Sequence, residues 1–187
     1  MHMKNILPIL TLTTLAAAAS AQSAAAPAGL SYNNVSVSYS QYSASGFSGH
    51  ANNWALSANA LIGSSNVLLS ASTEIGGDLG NGGDSVAIGY VFKNLALGSD
   101  AIVSVGSNET YGLTIRKDLG NNLEASLGYA RVLGESIYGV SVGYSVSKAV
   151  TLSIGYERSS GIDASGFIAG ATNVKLSAWT AAVRYNF

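Results

Sequence analysis

From Tyr32 to Phe187 apolar side chains recur at every second position, the period of a β-strand, and no stretch follows the helical period. Ten strands are predicted. They lie near 32–42, 52–63, 66–76, 84–93, 100–107, 110–117, 122–131, 136–146 and 149–158, with the last running out to the C-terminus, and Gly, Ser, Asn and Asp punctuate the gaps. In the final strand Trp179, Ala181, Val183, Tyr185 and Phe187 share one face, while Thr180, Ala182, Arg184 and Asn186 share the other. Every earlier strand repeats this division. One face is Val, Leu, Ile and aromatic, and the other is Ser, Gly, Ala and Thr, as in Ser36, Ser38, Ser70, Ser72, Gly139, Ser141 and Gly143.

Composition decides which face is wet. Hydrophobic residues make up 48% of the chain and charged ones only 10%, against about 25% in soluble domains. A soluble sandwich would arm its polar face with Lys and Glu. Here that face is too small and too uncharged for such a role. A barrel turned inside out explains it, with apolar side chains facing lipid and small polar ones lining a lumen. The fold class expected is therefore all-β, a closed up-and-down antiparallel transmembrane barrel of about ten strands, or eight if the 100–117 pair is misassigned. No other segment is long and apolar enough for a membrane helix.

At the N-terminus, Lys4, the apolar run Ile6 to Ala19 and the small-x-small site Ala19-Ser20-Ala21 have the layout of a secretory signal peptide. The expected organisation is a signal peptide over 1–21, a short lead-in over 22–29 and the barrel over 30–187. Losing Lys4 from nine basic residues leaves eight against ten acidic ones, and no basic block to bind nucleic acid. The chain has no cysteine, so it has neither a disulfide framework nor a thiolate metal site.

With both termini on one side, the connections 43–51, 77–83, 107–110, 131–136 and 159–172 face outward, and 64–65, 94–99, 118–121 and 147–148 face the periplasm. The longest fall in the outward set, as expected for short periplasmic turns and longer external loops. Aromatics on the apolar face segregate to strand ends. Tyr39, Trp54, Tyr111, Tyr129, Tyr138, Tyr156 and Trp179 lie towards the external end, and Tyr90, Phe92, Tyr144, Tyr185 and Phe187 towards the periplasmic end. Two interfacial belts of rings that are apolar with polar tips are expected.

Four features together resemble the small bacterial outer-membrane β-barrel superfamily of OmpA-type and OmpX-type barrels. They are the exported N-terminus, the start Leu30-Ser-Tyr-Asn-Asn-Val-Ser-Val37, a Gly-Tyr pair recurring at Gly89-Tyr90, Gly128-Tyr129, Gly143-Tyr144 and Gly155-Tyr156, and the end Val183-Arg-Tyr-Asn-Phe187. The resemblance implies an outer-membrane location, contact with lipid and lipopolysaccharide, and assembly by the outer-membrane insertion machinery, which would read Val183, Tyr185 and Phe187 as a signal. That superfamily covers anchoring, adhesion, small pores and a few enzymes. This chain departs from the familiar small barrels in lining its lumen mostly with Ser, Gly and Ala rather than bulky charged side chains.

Parity directs Glu74, Arg116, Glu124, Glu157 and Arg184 into the lumen. Arg116 and Glu124 flank the 118–121 turn and are expected to face each other, with Arg184 at the same level, so the three would partly close the periplasmic mouth. Glu74 and Glu157, near the external end, would ring an entrance and favour cations. Outside, Arg131 and Arg158 each follow an outward Tyr by two residues and Lys175 starts the last strand; all three are placed to pair with lipopolysaccharide phosphates. The stretch Gly76 to Asp84 resembles one calcium loop, though a single copy reads as an external loop. His50, the one histidine after the signal peptide, has no carboxylate in its loop, so no catalytic set is expected. No cofactor, metal or nucleic-acid partner is expected, and the barrel is expected to be a monomer. The functional expectation is a structural barrel or narrow passive pore. The alternative is a surface adhesion or recognition barrel acting through loops 43–51, 77–83 and 159–172, with Phe47, Leu79, Ile162, Phe167 and Ile168 at the contact.

Overall fold

The computed structural model describes residues 30–78, 83–107, 109–132, 134–161 and 174–187. The expected signal peptide, the 22–29 lead-in, most of the 159–172 loop and residues 79–82 lie outside this set, and with them Leu79, Ile162, Phe167, Ile168 and much of the calcium-like stretch.

Ten strands form one sheet: β1 (Asn34–Ala44), β2 (Ala51–Leu61), β3 (Val67–Gly77), β4 (Asp84–Phe92), β5 (Ser99–Gly106), β6 (Thr110–Gly120), β7 (Leu123–Val132), β8 (Glu135–Ser145), β9 (Val150–Ser159) and β10 (Leu176–Asn186). Each pairs antiparallel with the next and β1 closes on β10, so the sheet is a closed up-and-down barrel. The 100–117 stretch is a genuine pair, β5 and β6, joined from Ser99↔Lys117 to Gly106↔Thr110. Ten strands replace the eight-strand option. The last strand starts at Leu176, one residue after the Lys175 expected, and its first residues pair with Ser43 and Ala44 at the far end of β1.

Burial runs opposite to that of a soluble sheet. Along β1 the serines at 36, 38 and 40 are buried while Val35 and Val37 are exposed. The pattern holds round the ring, with Leu56, Leu69, Ile88, Val105, Leu127, Val140, Ile154 and Val183 all exposed on the outer face. β-branched and aromatic residues suit a pleated surface, and here they suit it from outside. Closure leaves no sheet edge, so every strand finds backbone partners on both sides. A low-dielectric surrounding requires this, since an unpaired backbone group costs several kcal/mol in hydrocarbon.

The strands on the side of the termini are joined by residues 62–66, 93–98, 121–122 and 146–149. The tightest of these holds Asn121 and Asn122, both at positive φ, the backbone of a primed hairpin turn that Asn tolerates. At the other end the connections are 45–50, 78–83, 107–109, 133–134 and 160–175. The 93–98 connection is as long as 45–50. It folds into a 3₁₀ turn over Ala96–Gly98 with Leu97 at φ 61°. Loop length alone therefore separates the two ends less cleanly than the sequence suggests.

Candidate functional site: the lumen and its two mouths

Three zones follow one another along the lumen. At its middle the inward residues are nearly all small, among them Ser36, Ser57, Ser72, Ser104, Ser141 and Ser153. Hydroxyls link some neighbouring strands there, such as Ser126 Oγ to Ser141 Oγ at 2.6 Å and Ser40 Oγ to Thr180 Oγ1 at 2.8 Å. Others point inward with no hydrogen-bond partner among the described residues: Ser36 Oγ, Ser38 Oγ, Ser57 Oγ and Ser85 Oγ, with Asn34 Nδ2 at the foot of β1 likewise unpartnered.

At the mouth on the side of the termini the lumen narrows around charge. Arg116 Nη2 donates to Glu124 Oε2 at 3.1 Å, and Arg184 Nη2 donates to Glu124 Oε1 at 3.2 Å. Arg116 and Glu124 do not sit directly opposite each other, contrary to expectation. Glu124 lies opposite Asp118 and Arg116 opposite Ser126, so the bridge is diagonal; a register shift follows between Asp118 and Gly120, next to the turn. Arg184 reaches Glu124 from β10 to β7, across the interior rather than along the wall. Its Nε donates to Asn186 Oδ1 at 3.0 Å, and Asn186 in turn donates to Thr151. Gly143 on β8 makes room, because a Cβ there would lie 2.9 Å from Glu124 Cγ. Both arginines are almost fully buried.

The same mouth contains two side chains absent from the sequence expectations. Tyr32, just before β1, is buried, and its hydroxyl donates to Asp100 Oδ2 on β5. Asp100 Oδ1 accepts from the backbone N–H of Asn94 at 2.9 Å. The Tyr32 ring packs with Leu68, Val91 and Ile102. The Arg116 guanidinium lies 5.1 Å and the Lys93 ammonium 5.7 Å from its centroid, both within cation–π range. Burial pushes the Tyr32 phenol above its ordinary value, the Asp100 contacts add to that rise, and the Arg116 charge opposes it. A signal for both was present: Tyr32 shares its parity with Ser36 and Ser38, and Asp100 falls opposite the outward Ala101 and Val103.

At the loop end Glu74 is buried. Its Oε1 accepts from Asn53 Nδ2 at 2.7 Å, and its Oε2 has no partner among the described residues. Glu157 is also buried, with its side chain against Gly139, where a Cβ would lie 3.1 Å from Glu157 Cγ. The two carboxylates come from strands that do not adjoin: β3 and β9 are separated by β2, β1 and β10. Tyr42 and the cluster Ala130, Val132 and Ile137 fill part of the same level.

On the outer face the aromatics pair across strands. Ring centroids stand 5.1 Å apart for Tyr39–Trp54, 5.4 Å for Tyr129–Tyr138 and 4.9 Å for Tyr156–Trp179, all towards the loop end. Tyr90 and Phe92 stand 4.9 Å apart towards the other end, where Tyr144, Tyr185 and Phe187 are also exposed. Tyr111 is exposed near the loop end of β6. Tyr39 donates to Asn52 Oδ1 at 2.8 Å, an apolar ring with its polar tip satisfied at the rim. Arg131, Arg158 and Lys175 are exposed on β7, on β9 and just before β10. His50 pairs with Ser43 Oγ at 2.9 Å rather than with an acid. Asp78, in the calcium-like stretch, accepts from the Asn52 backbone N–H and side-chain amide.

The chain has the fold of a small transmembrane-type barrel. No family model and no curated protein matches it. Among solved structures it is similar to the KdgM porin in complex with disordered oligogalacturonate, at 17% identity and TM-score 0.45 over 81% of this chain and 99% of that one. It is also similar to Neisserial surface protein A, at 18% identity and TM-score 0.40 over 83% and 96%. A third is Ail, the attachment invasion locus protein of Yersinia pestis, at 12% identity and TM-score 0.36 over 84% and 99%. None is close enough to carry a ligand or partner to this chain.

Proposed function

We propose that this is an integral outer-membrane barrel whose lumen is a narrow passive conduit for water, ions and small solutes, with no catalytic role. The observation that carries the reading is the reversed burial on all ten strands of a closed sheet: greasy side chains outside, small polar ones within. A buried polar group without a partner costs about 1–3 kcal/mol, and water in a polar interior removes that cost. The unpartnered serine hydroxyls of the lumen therefore support a hydrated passage. The passage is throttled at the periplasmic mouth by Arg116, Glu124 and Arg184. Glu74 and Glu157 give its loop end a negative bias that favours cations.

In this reading the two aromatic girdles sit at the membrane interfaces, and Arg131, Arg158 and Lys175 meet lipopolysaccharide phosphates above the outer one. The C-terminal residues Val183, Tyr185 and Phe187 present the assembly machinery with its signal, and the barrel works as a single copy. Fractionation with heat-modifiable gel migration tests the location, and planar-bilayer conductance with reversal potentials tests the conduit. A small cation-selective conductance is expected. Folded monomer in detergent-free buffer would refute the location, and silence or anion selectivity in the bilayer would refute the conduit.

A further inference from the structure

Tyr32 belongs to the segment that precedes β1; its ring rests along Leu68 of β3, Val91 of β4 and Ile102 of β5, and its polar contacts reach the far side of the ring of strands. Its hydroxyl bonds Asp100 on β5, and its ring faces Arg116 on β6. In the ring of ten strands β6 stands diametrically opposite β1. A side chain attached beside one strand and held by the opposite one must cross the bore. Asn33 fixes the root of this cross-piece. Its Oδ1 accepts from Leu61 N–H at 2.9 Å and its carbonyl accepts from Phe187 N–H at 3.2 Å, so β2 and the C-terminus both grip it. With the backbone clamped on both sides, the next side chain inward is Tyr32, backed by Leu68, Val91 and Ile102. The Arg184–Glu124 bridge spans a second chord of the same mouth, from β10 to β7.

We infer that Tyr32 is the residue that sets the bore at the periplasmic mouth: a cross-bar supplied by the chain before the first strand, which together with the Arg116–Glu124–Arg184 cluster decides what size of solute passes. This rests on the conduit reading and adds a specific determinant to it. The ring does the obstructing. The hydroxyl and the two cations hold the ring in place, so losing the hydroxyl alone leaves most of the blockage standing.

Single-channel conductance in planar bilayers tests this, with folding of every variant checked by heat-modifiable migration. Tyr32→Ala is expected to conduct several-fold more than wild type, and Tyr32→Phe to stay close to wild type. Because the chain has no cysteine, Tyr32→Cys supplies a unique thiol. It should conduct like the alanine variant and close again when a bulky thiol reagent is attached, a reversal that loss of packing alone would not show. If wild type conducts and Tyr32→Ala conducts equally, the cross-bar is wrong while the conduit stands. If wild type is silent and Tyr32→Ala conducts, the cross-bar is supported while the conduit reading of the wild-type barrel falls. If neither conducts, both readings fall.

Discussion

Replacing Glu124 by glutamine would test whether the charged mouth is a dry, tightly held cluster or a loose, hydrated one. Glu124 bridges Arg116 and Arg184 at 3.1 and 3.2 Å, and the side chains of all three are at most 5% exposed. Glutamine keeps the volume that Gly143 accommodates and removes only the charge. Two buried guanidiniums then face a neutral group where Glu124 stood, with Asn186 Oδ1 still accepting from Arg184. Stripping one partner from a buried ion pair costs about 3–5 kcal/mol, because the remaining charge stays buried. Here two cations remain. The Asp100–Tyr32 arm beside Arg116 offsets part of that repulsion, so the lower half of the range is the sounder expectation. The assay is reversible urea unfolding of the barrel in lipid vesicles. At 1.4 kcal/mol per tenfold, a loss near 3 kcal/mol shifts the unfolding equilibrium by about a hundredfold. Adding Arg184→Met to Glu124→Gln should restore part of the loss, since it removes one stranded cation. A loss below about 1 kcal/mol for the single variant would mean that water already solvates the cluster and that its three side chains are not tightly held. That result would sink the argument.

Three further outcomes follow from the same geometry. Gly143→Ala pushes a methyl to 2.9 Å from Glu124 Cγ and should destabilise by about 1–3 kcal/mol in the same unfolding assay, with little further loss when Glu124 is already glutamine. Leu127→Arg, in the middle of β7 on the exposed apolar face, should destabilise by about 2–4 kcal/mol in vesicles if that face meets the hydrocarbon midplane; a neutral effect would mean the face meets water. The Tyr32 phenol is raised by burial, so its hydrogen bond to Asp100 is fully present below the ordinary tyrosine value of about 10 and is lost only as pH climbs through the higher folded value. Conductance measured from pH 6 upward should therefore stay flat past neutrality; a step near neutral pH would exclude Tyr32 as its cause.

The strands, their number and their two faces could be read from the chain because they depend on local alternation. Val86, Ile88, Tyr90 and Phe92 announce an outward face without reference to any other strand. The shortage of charge then settles which face meets lipid, since a water-facing surface of Ser, Gly and Ala would be anomalous. Parity likewise places Arg116, Glu124 and Arg184 on the inner side. Parity is a property of one strand and says nothing of what lies across the bore. Register and closure decide that. The register that sets Arg116 opposite Ser126 and Asp118 opposite Glu124 makes the Arg116–Glu124 bridge diagonal, a shift between Trp54 and Ala55 changes the pairing of β2 with β3, and both distinguish a barrel from a list of strands. Glu74 and Glu157 look alike along the chain yet stand on separate walls with different neighbours.

What the sequence alone determined is the orientation of each side chain relative to the sheet, because pleating is local and the solvent outside it is uniform. What only the tertiary structure decided is which inward groups meet. Arg184 meeting Glu124, and Tyr32 reaching from the foot of β1 to Asp100 and Arg116, depend on the width of the closed ring. Closure is a property of all ten strands at once, set by non-local hydrogen-bond register that no single segment encodes.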